Sequence, residues 1–163
     1  MIFQLSHFWL IFLNIFTWIV IHLGMSYLCT KIPLKKFNPF NWLYRIKNIE
    51  YDGRIYIDIF KIKKWKEKIP DGAKLFKGSF TKKRLEKKDY IYLKTFMLET
   101  CRGELTHWLQ IMPVWIFFLW NPWWAGLIMI VYGFAANIPC ILLQRYNRAR
   151  LLKILNKEQQ ISF

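Results

Sequence analysis

Apolar and charged positions fall into separate blocks along this chain. Residues 1–30 contain no Asp, Glu, Lys or Arg, and neither do residues 105–143. A helix needs about 20 apolar residues to cross the hydrocarbon core of a bilayer. The first block holds one crossing, expected at about residues 5–27. The second is too long for one crossing and breaks at Asn121-Pro122, a turn signal, giving spans expected at about 105–120 and 122–143. At ~1.5 Å per residue the middle span covers only about 24 Å, so a shallow or re-entrant hairpin is its alternative.

A cleaved leader competes for the first block. Such leaders carry a positive n-region and an apolar core of about 7–15 residues. Here the first basic residue is Lys31 and the apolar run is longer, so a retained span is expected.

The intervening segment 31–98 carries 19 Lys/Arg against 7 Asp/Glu. Within it, Arg54–Lys61 reads as an alternating strand, while Ile55, Ile59 and Ile62 fit a helical stripe. One or two interfacial helices with snorkelling lysines are preferred. Pro70-Asp71-Gly72 marks a turn. Beyond it, Asp89 is placed to cap a helix on which Leu93, Phe96, Met97, Cys101 and Leu105 recur, running on toward the second span.

Composition agrees with a membrane domain. The 163 residues are 55% hydrophobic and 19% aromatic, yet the net charge is +15. Lys/Arg-rich flanks stay cytoplasmic, which puts 31–104 and the tail 144–163 inside, and the N-terminus and Asn121 turn outside. Trp120, Trp123 and Trp124 suit an outer interfacial belt. The expectation is a mainly α, multi-pass cell-membrane protein forming a single domain with about three transmembrane helices. The basic surplus fits anionic lipid at about 1 kcal/mol per Lys/Arg. A nucleic-acid partner is not expected, because bulky apolar residues interleave the charge and no binding signature occurs. Cys29, Cys101 and Cys140 are scattered, with no C-x-x-C pair, so neither a zinc site nor a redox dithiol is expected. The G-x-S-x-G, P-loop, G-x-G-x-x-G and H-E-x-x-H motifs are absent.

Two polar clusters bracket the uncharged hairpin. On a helix Glu99, Gly103, Glu104 and His107 share a face, and Glu104 lies three residues from His107, close enough to orient an imidazole acting as general base. The plainer alternative is a charged collar in which Arg102 pairs with Glu99. If the hairpin turns near Asn121-Pro122, His107 stands level with Ala136 or Asn137, and Glu99 with Gln144. Asn137, Gln144 and Arg148 share one face of the last span. Polar side chains within a span usually face the protein interior or a cavity. Arg145, Arg148 and Arg150 suit a phosphate or carboxylate, or else a basic flank.

The residues Trp65-Lys66 and Asp71-Gly72, then Glu99-x-x-Arg102-x-Glu104-Leu105-x-His107-Trp108, Ala136-Asn137-x-Pro139 and Gln144-Arg145-Tyr146-Asn147-Arg148-x-Arg150-Leu151 resemble the glycosyl-4,4'-diaponeurosporenoate acyltransferase family. Thr30-Lys31-Ile32-Pro33 also fits, and Glu50 and Gly53 match more weakly. The resemblance runs from about residue 20 to residue 155. It implies esterification of a sugar hydroxyl on a glycosylated C30 carotenoid by a fatty acyl group. Apart from the resemblance, no cofactor or metal is expected, and an acyl thioester is the expected donor. The expected catalytic set is His107, Glu104 and Glu99. Asn137 or Arg148 is expected to stabilise the oxyanion, while Arg145 or Arg150 and the lysines from Lys61 to Lys68 hold donor phosphates. Arg102, Gln144, Asn147, Trp65 and Asp71 complete the expected substrate contacts. Expected partners are membrane lipid, the glycosylated carotenoid, the acyl donor and other pigment-pathway enzymes. The alternatives are a non-catalytic scaffold that binds anionic lipid, and an acyltransferase acting on another glycolipid.

Overall fold

The computed structural model describes residues 6–69 and 89–161. Among them there is no strand, and five α-helices and several 3₁₀ turns carry the chain. Helix α1 spans His7–Thr30. Two short helices follow, α2 at Arg54–Asp58 and α3 at Ile62–Trp65. Helix α4 spans Tyr90–Ile111 and α5 spans Trp123–Ile161. Segment 54–61, open to a strand reading, is thus largely helical.

Asp89 caps α4 as expected, its side chain accepting from the Tyr92 amide at 2.8 Å. Leu93, Phe96 and Met97 from its first half bury against Leu151 and Leu155 of α5. The i, i+3, i+4 spacing of those α4 residues produces this contact stripe. Helix α4 ends as an α-helix at Ile111 because Pro113 lacks an amide donor and its ring would crowd the Leu109 carbonyl. The chain then tightens into a 3₁₀ run, Met112–Leu119.

That run corrects the expectation of three spans. Residues 105–120 divide between the end of α4 and the 3₁₀ turn. Among the described residues, two helices are long and apolar enough to cross a membrane, His7–Thr30 and the Trp123–Lys157 part of α5. Helix α5 has 39 residues, and at ~1.5 Å each it reaches about 58 Å, far more than a bilayer's apolar core. Its apolar half and its basic half form one continuous helix that passes through Pro139.

Helix α1 leaves most of its apolar surface exposed, from Phe8 and Ile11 to Leu23 and Leu28. Its inner face packs Trp18 and Ile21 with Val114, Phe117 and Trp120. A polar clasp reinforces this end. Asn14 Oδ1 accepts from Trp120 Nε1 at 2.8 Å and Asn121 Nδ2 at 2.7 Å, while Asn14 Nδ2 donates to Asn121 Oδ1 at 3.0 Å.

The chain between α1 and α3 wraps the other end. Phe37 and Tyr44 cover Cys101 of α4, and Tyr56 and Ile62 cover Tyr146 of α5. A left-handed turn through Tyr51, Asp52 and Gly53 reverses this segment. Gly53 is required twice there. Its φ is +88°, and an added Cβ would stand 2.7 Å from the Ala149 Cβ.

Removing Asn14 leaves the buried Trp120 indole N–H without its acceptor and takes two hydrogen bonds from the Asn121 amide. Asn14→Ala is therefore expected to lower the unfolding free energy of the purified protein by about 1–3 kcal/mol. Denaturant or thermal unfolding that matches the wild type would show that the clasp does not hold α1.

Candidate active site

At the middle of the α4–α5 contact, four ionised side chains meet away from water. Glu104 of α4 is 1% exposed and Arg148 of α5 is fully buried. Arg148 Nη2 donates to Glu104 Oε2, and Arg145 Nη1 donates to Glu104 Oε1 at 2.7 Å. Arg145 Nη2 also reaches Glu50 Oε1 at 2.5 Å. Two carboxylates thus neutralise two guanidinium groups. Arg148 further lies over the Tyr44 ring, 5.6 Å from its centroid, and its Nη1 approaches Thr100 Oγ1 and Cys101 Sγ at 3.4 and 3.5 Å.

Arg145 has five N–H donors, and the protein takes all five. Besides the two carboxylates, they go to the Leu43 carbonyl at 3.1 Å, the Arg45 carbonyl at 3.0 Å and the Tyr56 hydroxyl at 3.2 Å. This guanidinium pins the 43–56 segment to α4 and α5. The expectation that it holds a donor phosphate gives way, because no N–H is left for one. Arg148 is likewise enclosed rather than presented to a ligand.

The environment of the cluster moves its titrating members. Burial opposes ionisation of Glu50, but hydrogen bonds from Arg145, Tyr56 and the Lys47 amide outweigh it and hold the carboxyl below its usual range. Burial and the neighbouring Glu50 carboxylate push the Tyr56 phenol up. Burial, with Cys101 and Glu104 nearby, raises Tyr44 to about 12. Burial raises the Cys101 thiol, which suits a packed rather than a nucleophilic sulfur.

His107 sits one turn further along α4, half-buried. Its expected level partner was Ala136 or Asn137, and Asn137 Oδ1 lies 2.9 Å from its Nδ1. Gln110 Oε1 lies 3.1 Å from the same nitrogen. Neither amide can be turned around. Asn137 Nδ2 donates to the Gly133 carbonyl at 2.9 Å, and Gln110 Nε2 donates to the His22 carbonyl and Ser26 Oγ, both at 3.1 Å. Nδ1 therefore faces two acceptor oxygens and carries the proton. With its proton on Nδ1, an uncharged ring would hold its lone pair on Nε2, the form a general base requires.

The orienting groups are thus Asn137 and Gln110. Glu104, expected in that role, turns to the arginines instead, because two full charges, one on each carboxylate oxygen, outcompete an imidazole. Glu99 pairs with Arg102 within α4, the collar arrangement. Gln144 lies over Gly103 rather than level with Glu99, and a Cβ on Gly103 would come within 3.0 Å of its amide carbon. Asn147 is half-buried on α5. Trp65 donates its indole N–H to the Phe60 carbonyl at 2.8 Å and packs beside Tyr56, Ile62 and Tyr146. Arg150 is exposed beside the Tyr146 ring. Asp71 falls outside the described residues.

Sequence reasoning passed over Gln110, Ser26 and Tyr56, and ranked Glu50 low. Gln110 carried a usable signal as a polar residue inside the uncharged block, three positions from His107. Glu50 carried only a weak family match, and Tyr56 lay in a short stretch whose period reads as strand or helix and marks no polar partner.

A glycosyl-4,4'-diaponeurosporenoate acyltransferase family model matches residues 40–157, which include every member of this cluster. The chain belongs to that family. It is an acyltransferase. Proteins named glycosyl-4,4'-diaponeurosporenoate acyltransferase from Staphylococcus aureus strains MRSA252, bovine RF122 / ET3-1 and USA300 are each 36% identical over 138 residues, covering 85% of this chain and 83% of the relative. No solved structure matches the chain.

The Glu50 carboxyl gives the ion cluster an acid limit. Its folded pKa lies below the ordinary 4.5, so its contribution to stability is complete above 4.5 and is lost as pH falls through the lower folded value. Glu50→Gln is expected to melt below the wild type at neutral pH, and the gap is expected to close in acid. Thermal unfolding across that range checks it, and a gap independent of pH would contradict it.

Proposed function

We propose that this acyltransferase esterifies a sugar hydroxyl of a glycosylated C30 carotenoid from a fatty acyl thioester, with His107 as general base. The observation that carries the reading is the imidazole Nδ1 held against two acceptor oxygens, from Asn137 and Gln110. The names of the relatives support the carotenoid glycoside as acceptor. The chemistry runs in two stages. Nε2 takes the hydroxyl proton as the oxygen attacks the thioester carbonyl, forming the C–O bond. The tetrahedral species then collapses, the C–S bond breaks, and the imidazolium returns the proton to the leaving thiolate.

Placement suits such an acceptor. His107 meets Asn137 on α5 just before the apolar stretch gives way to the Gln144–Arg150 block. A carotenoid chain lies in the apolar layer and its sugar reaches the edge of that layer. In this reading α1 and the apolar half of α5 cross the cell membrane, and the end of α4 with the Met112–Leu119 run carries the chain back outward beside α1. The N-terminus and the Asn121 turn lie outside, and the basic segments lie at the cytoplasmic face. Exposed Lys61, Lys63 and Lys64 remain available for donor phosphates or anionic lipid, in place of the enclosed arginines. Asn137 and Arg148 are both occupied within the protein, so neither is retained as oxyanion donor.

Expression in cells that make the glycosylated carotenoid tests the reaction through the mass of the extracted pigment. The wild type is expected to add one fatty acyl group, and His107→Ala is expected to lower the rate by about 10²–10⁴-fold. Unchanged pigment with a correctly inserted wild type favours another glycolipid acceptor or a lipid-binding scaffold. Full activity in His107→Ala removes the base from the mechanism.

A further inference from the structure

Gln110 is 3% exposed, and its amide is saturated on both sides. Its oxygen lies against His107 Nδ1 at 3.1 Å. Its nitrogen donates to the His22 carbonyl and to Ser26 Oγ, two groups one turn apart on α1. The His22 carbonyl is acceptor-only, so the amide cannot reverse without setting oxygen against oxygen. Helix α1 therefore dictates which end of Gln110 the imidazole meets.

We infer that Gln110 is a positioning residue through which α1 holds His107 in its Nδ1–H tautomer, making α1 part of the catalytic apparatus as well as an apolar anchor. This rests on His107 acting as the base. Asn137 presents a second acceptor to the same nitrogen from α5. The imidazole thus meets one acceptor from its own helix, itself tied to α1, and one from α5. A base on α4 alone would sample both tautomers and several ring angles. Two acceptors, each anchored to a different helix, restrict both. Displacement of α1 relative to α4 then acts on the reacting nitrogen without touching substrate.

The test uses the full-length protein labelled with ¹⁵N-histidine. The chain has three histidines, His7, His22 and His107, and a His107→Gln sample assigns the third. In the wild type His107 is expected to show a protonated Nδ1 and an unprotonated Nε2. Gln110→Leu is expected to populate the Nε2–H form measurably and to lower kcat about tenfold, the loss of about one hydrogen bond, with KM for the acceptor unchanged. Ser26→Ala reaches the ring only through Gln110, disturbs the fold less, and is expected to shift both readouts the same way by a smaller amount. Gln110→Asn, which keeps the amide but shortens its reach, is expected to fall between Leu and the wild type. Wild-type tautomer and kcat in both Gln110→Leu and Ser26→Ala would overturn the inference while His107→Ala stays inactive. An active His107→Ala would instead bring down the base reading itself, and with it the catalytic role given to α1.

Discussion

Everything in this fold is arranged around Glu104. Its carboxylate lies between two long helices with no access to water and receives a guanidinium on each oxygen. Taking such ions out of water costs several kcal/mol apiece, which only close pairing and further hydrogen bonds offset. The protein meets this with a neutral set of four, Glu50, Glu104, Arg145 and Arg148, completed by backbone carbonyls and a tyrosine hydroxyl. A set of this kind tolerates no slippage. Sliding α4 by one turn against α5 would strand a charge among Tyr44, Cys101 and Thr100. Register is therefore specified where generic apolar packing would leave it loose, and the irregular 43–56 segment is drawn in by the same arginine.

That register is what brings His107 to Asn137. The two residues lie on different helices and 30 positions apart in sequence. Neither carries a charge that would find the other unaided. The ion cluster one turn away aligns them, and Gln110 adds α1 to the arrangement. Structural and chemical roles separate cleanly between adjacent turns of α4. The charged turn holds the helices, and the next turn presents His107 to its two amide partners.

Much of this was legible in the sequence, because burial writes a pattern wherever an element is regular. The uncharged blocks announced the apolar helices, Asp89 announced the start of α4, and the turn at Asn121-Pro122 gave a register that placed His107 beside Asn137. The failures share a physical cause. Pro113 ended α4 early and turned the second half of an expected span into 3₁₀ helix, a local backbone effect that hydropathy does not encode. Glu104 was assigned to His107 because i, i+3 spacing permits contact. Spacing could not reveal that two arginines from α5 would compete for it and win. Arg145 read as a phosphate ligand for the same reason, since its carbonyl partners come from a stretch with no periodicity.

A structure of the protein with a glycosylated carotenoid bound tests the central claim most directly. The account predicts a sugar hydroxyl oxygen within about 2.6–3.2 Å of His107 Nε2, with Arg145 and Arg148 still closed on Glu104. A sugar held by those two arginines in an opened cluster, with His107 remote from every hydroxyl, would contradict it.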